Sequence, residues 1–150
     1  MDTTQYAELF LTESREHLSA VNHWLLELER GSGGDEPVSA IFRAVHTVKG
    51  MSATMGYGVV AELSHEMESL LDRVRRHAMT INADVMDVLF RAADVLEEAV
   101  EASVAGRGDD VHAESVLERL RMLGRATPRA SAAVPAPVAD DEAWTAAPPD

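Results

Sequence analysis

Residues 46–50 read His-Thr-Val-Lys-Gly, and a second polar cluster at 65–68 reads His-Glu-Met-Glu. A histidine of ordinary pKa, about 6.5, is largely neutral at pH 7 and so is a competent nucleophile. Lys49, three residues after His46, can reach the same patch of a helix and offer an ammonium to an anion. Gly50 stands one turn beyond His46, and glycine in a helix interior costs about 0.5–1 kcal/mol relative to alanine. Open space over the imidazole, for a bulky substituent or an approaching protein, is one return for that cost. Ser52, Ala53 and Thr54 keep the next turn low. Attack on phosphorus asks for little beyond a positioned nucleophile and a cation. His65 and Glu68, three apart, share a side of the following segment. If that segment is a helix antiparallel to the first, a carboxylate there can hold one ring nitrogen of His46 and leave the other free and more basic. The ordinary alternatives are a bare surface histidine at 46 and a solvated charge at 68, and spacing alone leaves both open.

The elements that must position these groups read as helix after helix. Leu18, Val21, Leu25 and Leu28 step by three and four, with Phe10 and Tyr6 extending the stripe backwards. Asp2 or Thr3 can cap this first helix, and GSGG at 31–34 ends it. A second helix begins at DEPV, with Asp35 as N-cap and Pro37 in the first turn. It carries the stripe Val38, Ile41, Val45, Val48, Ser52, Met55, and Gly56 and Gly58 close it. At 100° per residue His46 falls about 120° from the centre of this stripe, on the outer side, with Gly50 farther out and Lys49 at the shoulder. The third helix has Val60, Leu63, Met67, Leu70 and Val74, which leaves Glu68 lateral and His65 well outside. A fourth starts after Asn82 with Val85, Leu89, Ala92, Leu96 and Val100, and GRGDD ends it. A short fifth holds Val116, Leu117, Leu120 and Leu123. Strand alternation is missing. One apolar stripe per helix and short joints predict an all-α fold, an antiparallel up-and-down four-helix bundle with an additional fifth C-terminal helix.

The composition narrows the partners. The 150 residues are 46% apolar and 26% charged, as one globular domain requires. With 26 acidic and 13 basic residues the formal net charge is −13, which argues against a nucleic-acid or anionic-membrane surface. The absence of cysteine excludes disulfides and thiolate metal sites and accords with a cytoplasmic location. The start MDTTQYAEL does not read as a signal peptide, and no apolar run approaches the ~20 residues of a spanning helix. Five of the six prolines fall between Pro128 and Pro149. Residues 1–124 are therefore expected to form the domain and 125–150 a flexible Ala/Pro-rich linker, as in a fragment or the start of a longer multidomain protein. Trp144 is read there as an incidental aromatic.

Phe42-Arg43-Ala44-Val45-His46-Thr47-Val48-Lys49-Gly50, with Met51-Ser52-Ala53-Thr54-Met55-Gly56-Tyr57 after it, resembles the phosphorylation-site helix of histidine phosphotransfer (HPt) domains. It is similar above all to the N-terminal HPt domain of the CheA family of chemotaxis histidine kinases. The family's H-x-x-K-G is matched at every fixed position, and His65-Glu66-Met67-Glu68-Ser69-Leu70-Leu71 is similar to its H-x-x-E-x-L-L stretch. The likeness extends through Ile81-Asn82-Ala83-Asp84-Val85 and covers roughly residues 4–123. Met51 departs from the small residue many relatives carry there. The resemblance implies a phosphorelay. His46 matches the phosphoacceptor, Glu68 the carboxylate that orients it, Lys49 and His65 the polar surround, and Gly50 the small position that clears the way for a partner. It implies as partners a separate ATP-binding kinase domain and the receiver domains of response regulators, with no cofactor bound by this domain and ATP and Mg²⁺ held by partner domains. No Gly-rich nucleotide loop occurs, so kinase activity is not expected from these residues alone.

Two other readings compete. Glu62-Leu63-Ser64-His65 is an E-x-x-H, the element of di-iron bundles, but no second copy occurs and both residues face away from the apolar stripe. His65-Glu66 begins an H-E-x-x-H that fails at Ser69. A pure interaction module would use Met51 and Met55 as an exposed docking surface. His17, His23, His77 and His112 lack a carboxylate–lysine setting. Arg73, Arg75 and Arg76 complement the C-terminal dipole of their helix or steer an acidic partner.

Overall fold

In a computed structural model that describes residues 2–31 and 34–125, the chain forms α1 (Thr3–Arg30), α2 (Glu36–Met55), α3 (Gly58–Arg75), α4 (Ala83–Val104), a 3₁₀ turn (Gly108–Asp110) and α5 (Glu114–Arg125). Asp2 and Gln5 start α1 as a reciprocal pair. Gln5 N–H donates to Asp2 Oδ1 at 3.0 Å, and Asp2 N–H donates to Gln5 Oε1 at 2.9 Å. Gly31, at φ 76°, takes the left-handed conformation that ends the helix. Asn82 caps α4 by accepting from Val85 N–H at 2.9 Å.

The turn that matters most for the site lies between α2 and α3. Gly56, at φ 76°, closes α2, and Tyr57 N–H returns to Ser52 O at 2.9 Å. Only Gly56 and Tyr57 separate the two helices, which are therefore antiparallel neighbours in a fixed register. α1 packs on α2 and α4, α3 packs on α2 and α4, and α5 covers α3 and α4. The expected bundle with its added helix is the fold, and the described residues contain no strand.

Ile41, Val45 and Val48 of α2, Leu63, Met67 and Leu71 of α3, Val21 and Leu25 of α1, and Leu89 and Leu96 of α4 are fully buried. Each such side chain stabilises the fold by about 1.5–3 kcal/mol. The exposed ion pairs that also join helices, Arg15–Glu101 at 2.8 Å and Arg119–Asp87 at 3.2 Å, belong to a class worth about 0–1 kcal/mol. The apolar stripes hold the bundle together.

Two expectations, for Tyr6 and Gly58, are corrected, and two other readings are narrowed. Tyr6 is 51% exposed instead of continuing the core stripe. Phe10 already meets Tyr57 at the α2–α3 turn, ring centroids 4.9 Å apart, so the chain before it overhangs the bundle. Asp35 occupies the N-cap position of α2, but its side chain makes no capping bond. Gly58 opens α3 instead of closing α2. Met51 and Met55 are half-buried and pack against the core, which removes them as an exposed docking pair. α5 runs through Arg125, and residues 126–150, including the proline-rich segment and Trp144, lie outside the described residues. No helix among the described residues is long and apolar enough to cross a membrane.

Candidate functional site

His46 projects from the middle of α2 with its side chain 61% exposed. The antiparallel register brings Glu68 of α3 against it, and Glu68 is only 13% exposed. Its Oε2 bonds His46 Nδ1, and its Oε1 receives a hydrogen bond from Lys49 Nζ. One carboxylate thus spans the two groups that stand three residues apart on α2. Burial raises the carboxyl pKa, but the hydrogen bonds from Lys49 and His46 and the charges they carry outweigh it, leaving Glu68 below its ordinary value of 4.5. An ionised carboxylate only accepts, so a neutral His46 must carry its proton on Nδ1 and keep the Nε2 lone pair free. The wheel gave only a side for Glu68. The structure supplies the contact.

The other expected residues fall as follows. Gly50 is exposed, and a Cβ built there would meet no atom of the chain outside its own helix within 4 Å, so the space beside it is open. Thr54 Oγ1 is folded back onto Gly50 O at 3.1 Å and Ser52 Oγ onto Lys49 O at 3.0 Å, which keeps this turn free of projecting hydroxyls. His65 is exposed one turn before Glu68, but no hydrogen bond or ion pair among the described residues joins it to His46, Lys49 or Glu68. Glu62 of the E-x-x-H is engaged by Arg121 Nη2 at 2.6 Å, and Glu66 by Arg121 Nε at 3.2 Å. These two carboxylates tie α3 to α5. Among the described residues no cluster of three or more His, Cys, Asp or Glu could hold a metal ion.

Contacts of three residues escaped the sequence reading. The Phe42 ring lies nearly parallel to the His46 imidazole, 7° between planes and 6.2 Å between centroids. The Arg75 guanidinium covers the Phe42 ring at 4.0 Å from its centroid, and Asp72 holds Arg75 at 3.0 Å. Asp72 also pairs with Arg76 at 2.9 Å. Arg75 and Arg76 at the end of α3 are thus engaged by Asp72 and, for Arg75, by the Phe42 ring, beyond any effect on the helix dipole. The signal for Phe42 was present in its place one turn before His46. Arg75 carried none, because its partner depends on the packing of α3 against α2.

The family model described as Hpt domain matches residues 5–106. The chemotaxis protein CheA of Bacillus subtilis is 41% identical over 136 residues, which is 91% of this chain and 20% of that protein. The chain thus spans about a fifth of the length of that relative. Among solved structures, the phosphorylated P1 domain of CheA3 from R. sphaeroides, in complex with CheY6, aligns with a TM-score of 0.75 and 28% identity, covering 81% of this chain and 96% of that one. The CheA phosphotransferase domain from Thermotoga maritima aligns with a TM-score of 0.65 and 36% identity, covering 69% of this chain and 99% of that one. The matched stretch holds α1 from Gln5 onward, α2 to α4 and every residue of the His46 site, and the chain belongs to the Hpt domain family.

Proposed function

We propose that this domain is a phosphoryl carrier of chemotaxis-type two-component signalling, with His46 as phosphoacceptor. The observation that supports the reading best is Glu68, which joins His46 Nδ1 to Lys49 Nζ inside the Hpt fold. The Nε2 lone pair attacks the terminal phosphorus of ATP held by a separate kinase domain. The N–P bond forms as the bond to the ADP oxygen breaks, and the Nδ1 proton stays on its hydrogen bond to Glu68, which supports the positive charge the ring acquires. Lys49 stands next to the oxygens of the transferred group as a cation, and Gly50 leaves clearance on the following turn. In the second half of the relay an aspartate oxygen of a response regulator attacks phosphorus, and the N–P bond breaks with its electrons returning to Nε2. The R. sphaeroides relative, solved phosphorylated and with CheY6, supports a receiver domain as acceptor. ATP as donor places the reaction in the cytoplasm. His65 belongs to the polar surround that the incoming group meets.

The test is to mix the domain with a CheA-type kinase domain and labelled ATP and follow acid-labile, alkali-stable label on the protein. His46→Gln is expected to abolish it. Equal labelling of the variant would remove His46 from the role.

A further inference from the structure

We propose that Phe42 is a positioning residue for His46, and that Arg75 fixes Phe42 in turn. This rests on His46 being the reacting group. Side chains of a helix lean toward its N-terminus, so the imidazole lies over the preceding turn, where Phe42 stands. The near-parallel rings, 7° apart in tilt with centroids 6.2 Å apart, fall within the range of offset stacking. Phe42 is itself half-buried against the core and covered by Arg75, which Asp72 ties down from its own helix. A positioned train therefore runs from α3 to the imidazole: Asp72, Arg75, Phe42, His46.

The bond from Nδ1 to Glu68 fixes one point of the ring and leaves its swing about that point open. The imidazole is 61% exposed, so little else of the chain restrains it. Phe42 supplies a wall on the turn before His46, while the turn after it, at Gly50, is open. A ring with a wall on one side and space on the other presents Nε2 along a restricted direction. With the ring held flat against this wall, Nδ1 stays in line with Glu68, so losing the wall loosens the bond that sets the tautomer. Glu68 and Lys49 set the charge of the site, and Phe42 sets the attitude of the nucleophile.

The experiment compares wild type with Phe42→Leu, Phe42→Tyr and Arg75→Gln, each checked for unchanged melting and helicity. Two readings are taken: the rate of His46 labelling by the kinase domain, and the imidazole tautomer in the unphosphorylated protein from nitrogen-15 NMR couplings. Phe42→Leu, apolar but without a ring face, is expected to slow labelling about fivefold to tenfold and to mix the tautomers. Phe42→Tyr restores both, the rate to within about twofold, and Arg75→Gln falls between. If Phe42→Leu matches wild type in rate and tautomer, Phe42 is a packing residue and the proposal is wrong. A slower rate with an unchanged tautomer, not rescued by tyrosine, overturns it too, because the loss would then lie in docking. Should Phe42→Leu melt early, the tautomer of Arg75→Gln decides in the same sense. If wild type takes no label while Phe42→Leu mixes the tautomers, the positioning stands and the phosphoacceptor reading fails.

Discussion

Glu68 gives one oxygen to an imidazole and the other to an ammonium, so adding a proton to it undoes two contacts at once. Its folded pKa lies below 4.5, the value it has when unfolded, so the native state binds fewer protons than the unfolded chain in that range. The stabilisation from Glu68 is complete above pH 4.5 and is lost as pH falls through the lower, folded value. Urea unfolding of wild type and Glu68→Gln should differ by about 1–2 kcal/mol near neutral pH, and the gap should shrink below pH 4.5. A gap that stays constant into acid would mean the carboxylate charge contributes nothing. The same variant should accept phosphoryl label about tenfold to a hundredfold more slowly with its fold intact. At this scale the sequence was legible in part. The wheel put His46 and Gly50 outside the apolar stripe, and both are exposed. It could not give the Glu68 contact, because a distance between helices is a property of two stripes and a turn together.

The second helix combines one strong constraint with one weakness. Its buried stripe fixes its rotation, and the reversal at Gly56–Tyr57 fixes where α3 begins, so Phe42 faces Arg75 while His46 and Lys49 face Glu68. The weakness is Gly50, where no atom beyond the helix itself forbids a methyl group. Gly50→Ala is therefore expected to stabilise the fold by about 0.5–1 kcal/mol while slowing transfer to a receiver domain. Thermal melts and transfer kinetics on the one variant check both signs, and a stable variant with unchanged transfer would show that the clearance serves no partner. Helix bounds were legible from caps and periodicity, since Asp2, Gly31, Gly56 and Asn82 act as their residue types predict. Tyr6 and Gly58 were misjudged for one physical reason. Periodicity continues past the point where a neighbouring helix stops, and only the neighbour's end decides what is covered.

Across the whole molecule, burial and charge pull in opposite directions. Leu120 of α5 is 1% exposed, so Leu120→Ala should cost about 2–5 kcal/mol in urea unfolding without changing the His46–Glu68 contact. The chain carries a net charge of −13, and its self-repulsion weakens the compact state. Raising salt from low to physiological strength is expected to raise the melting temperature by about 2 °C or more. A fall would show that the exposed pairs such as Arg15–Glu101 outweigh that repulsion. The fifth helix was legible from its apolar residues, whereas its ties through Arg121 to Glu62 and Glu66 were not, because exposed charges carry no periodic signature. Phe42, His46, Lys49, Gly50, His65, Glu68, Asp72 and Arg75 all stand on α2 and α3, two helices joined by a two-residue turn. The other three helices supply none of these groups and pack around that hairpin. The chemistry is thus carried by one continuous stretch of chain, and the rest of the bundle bears on it through packing alone.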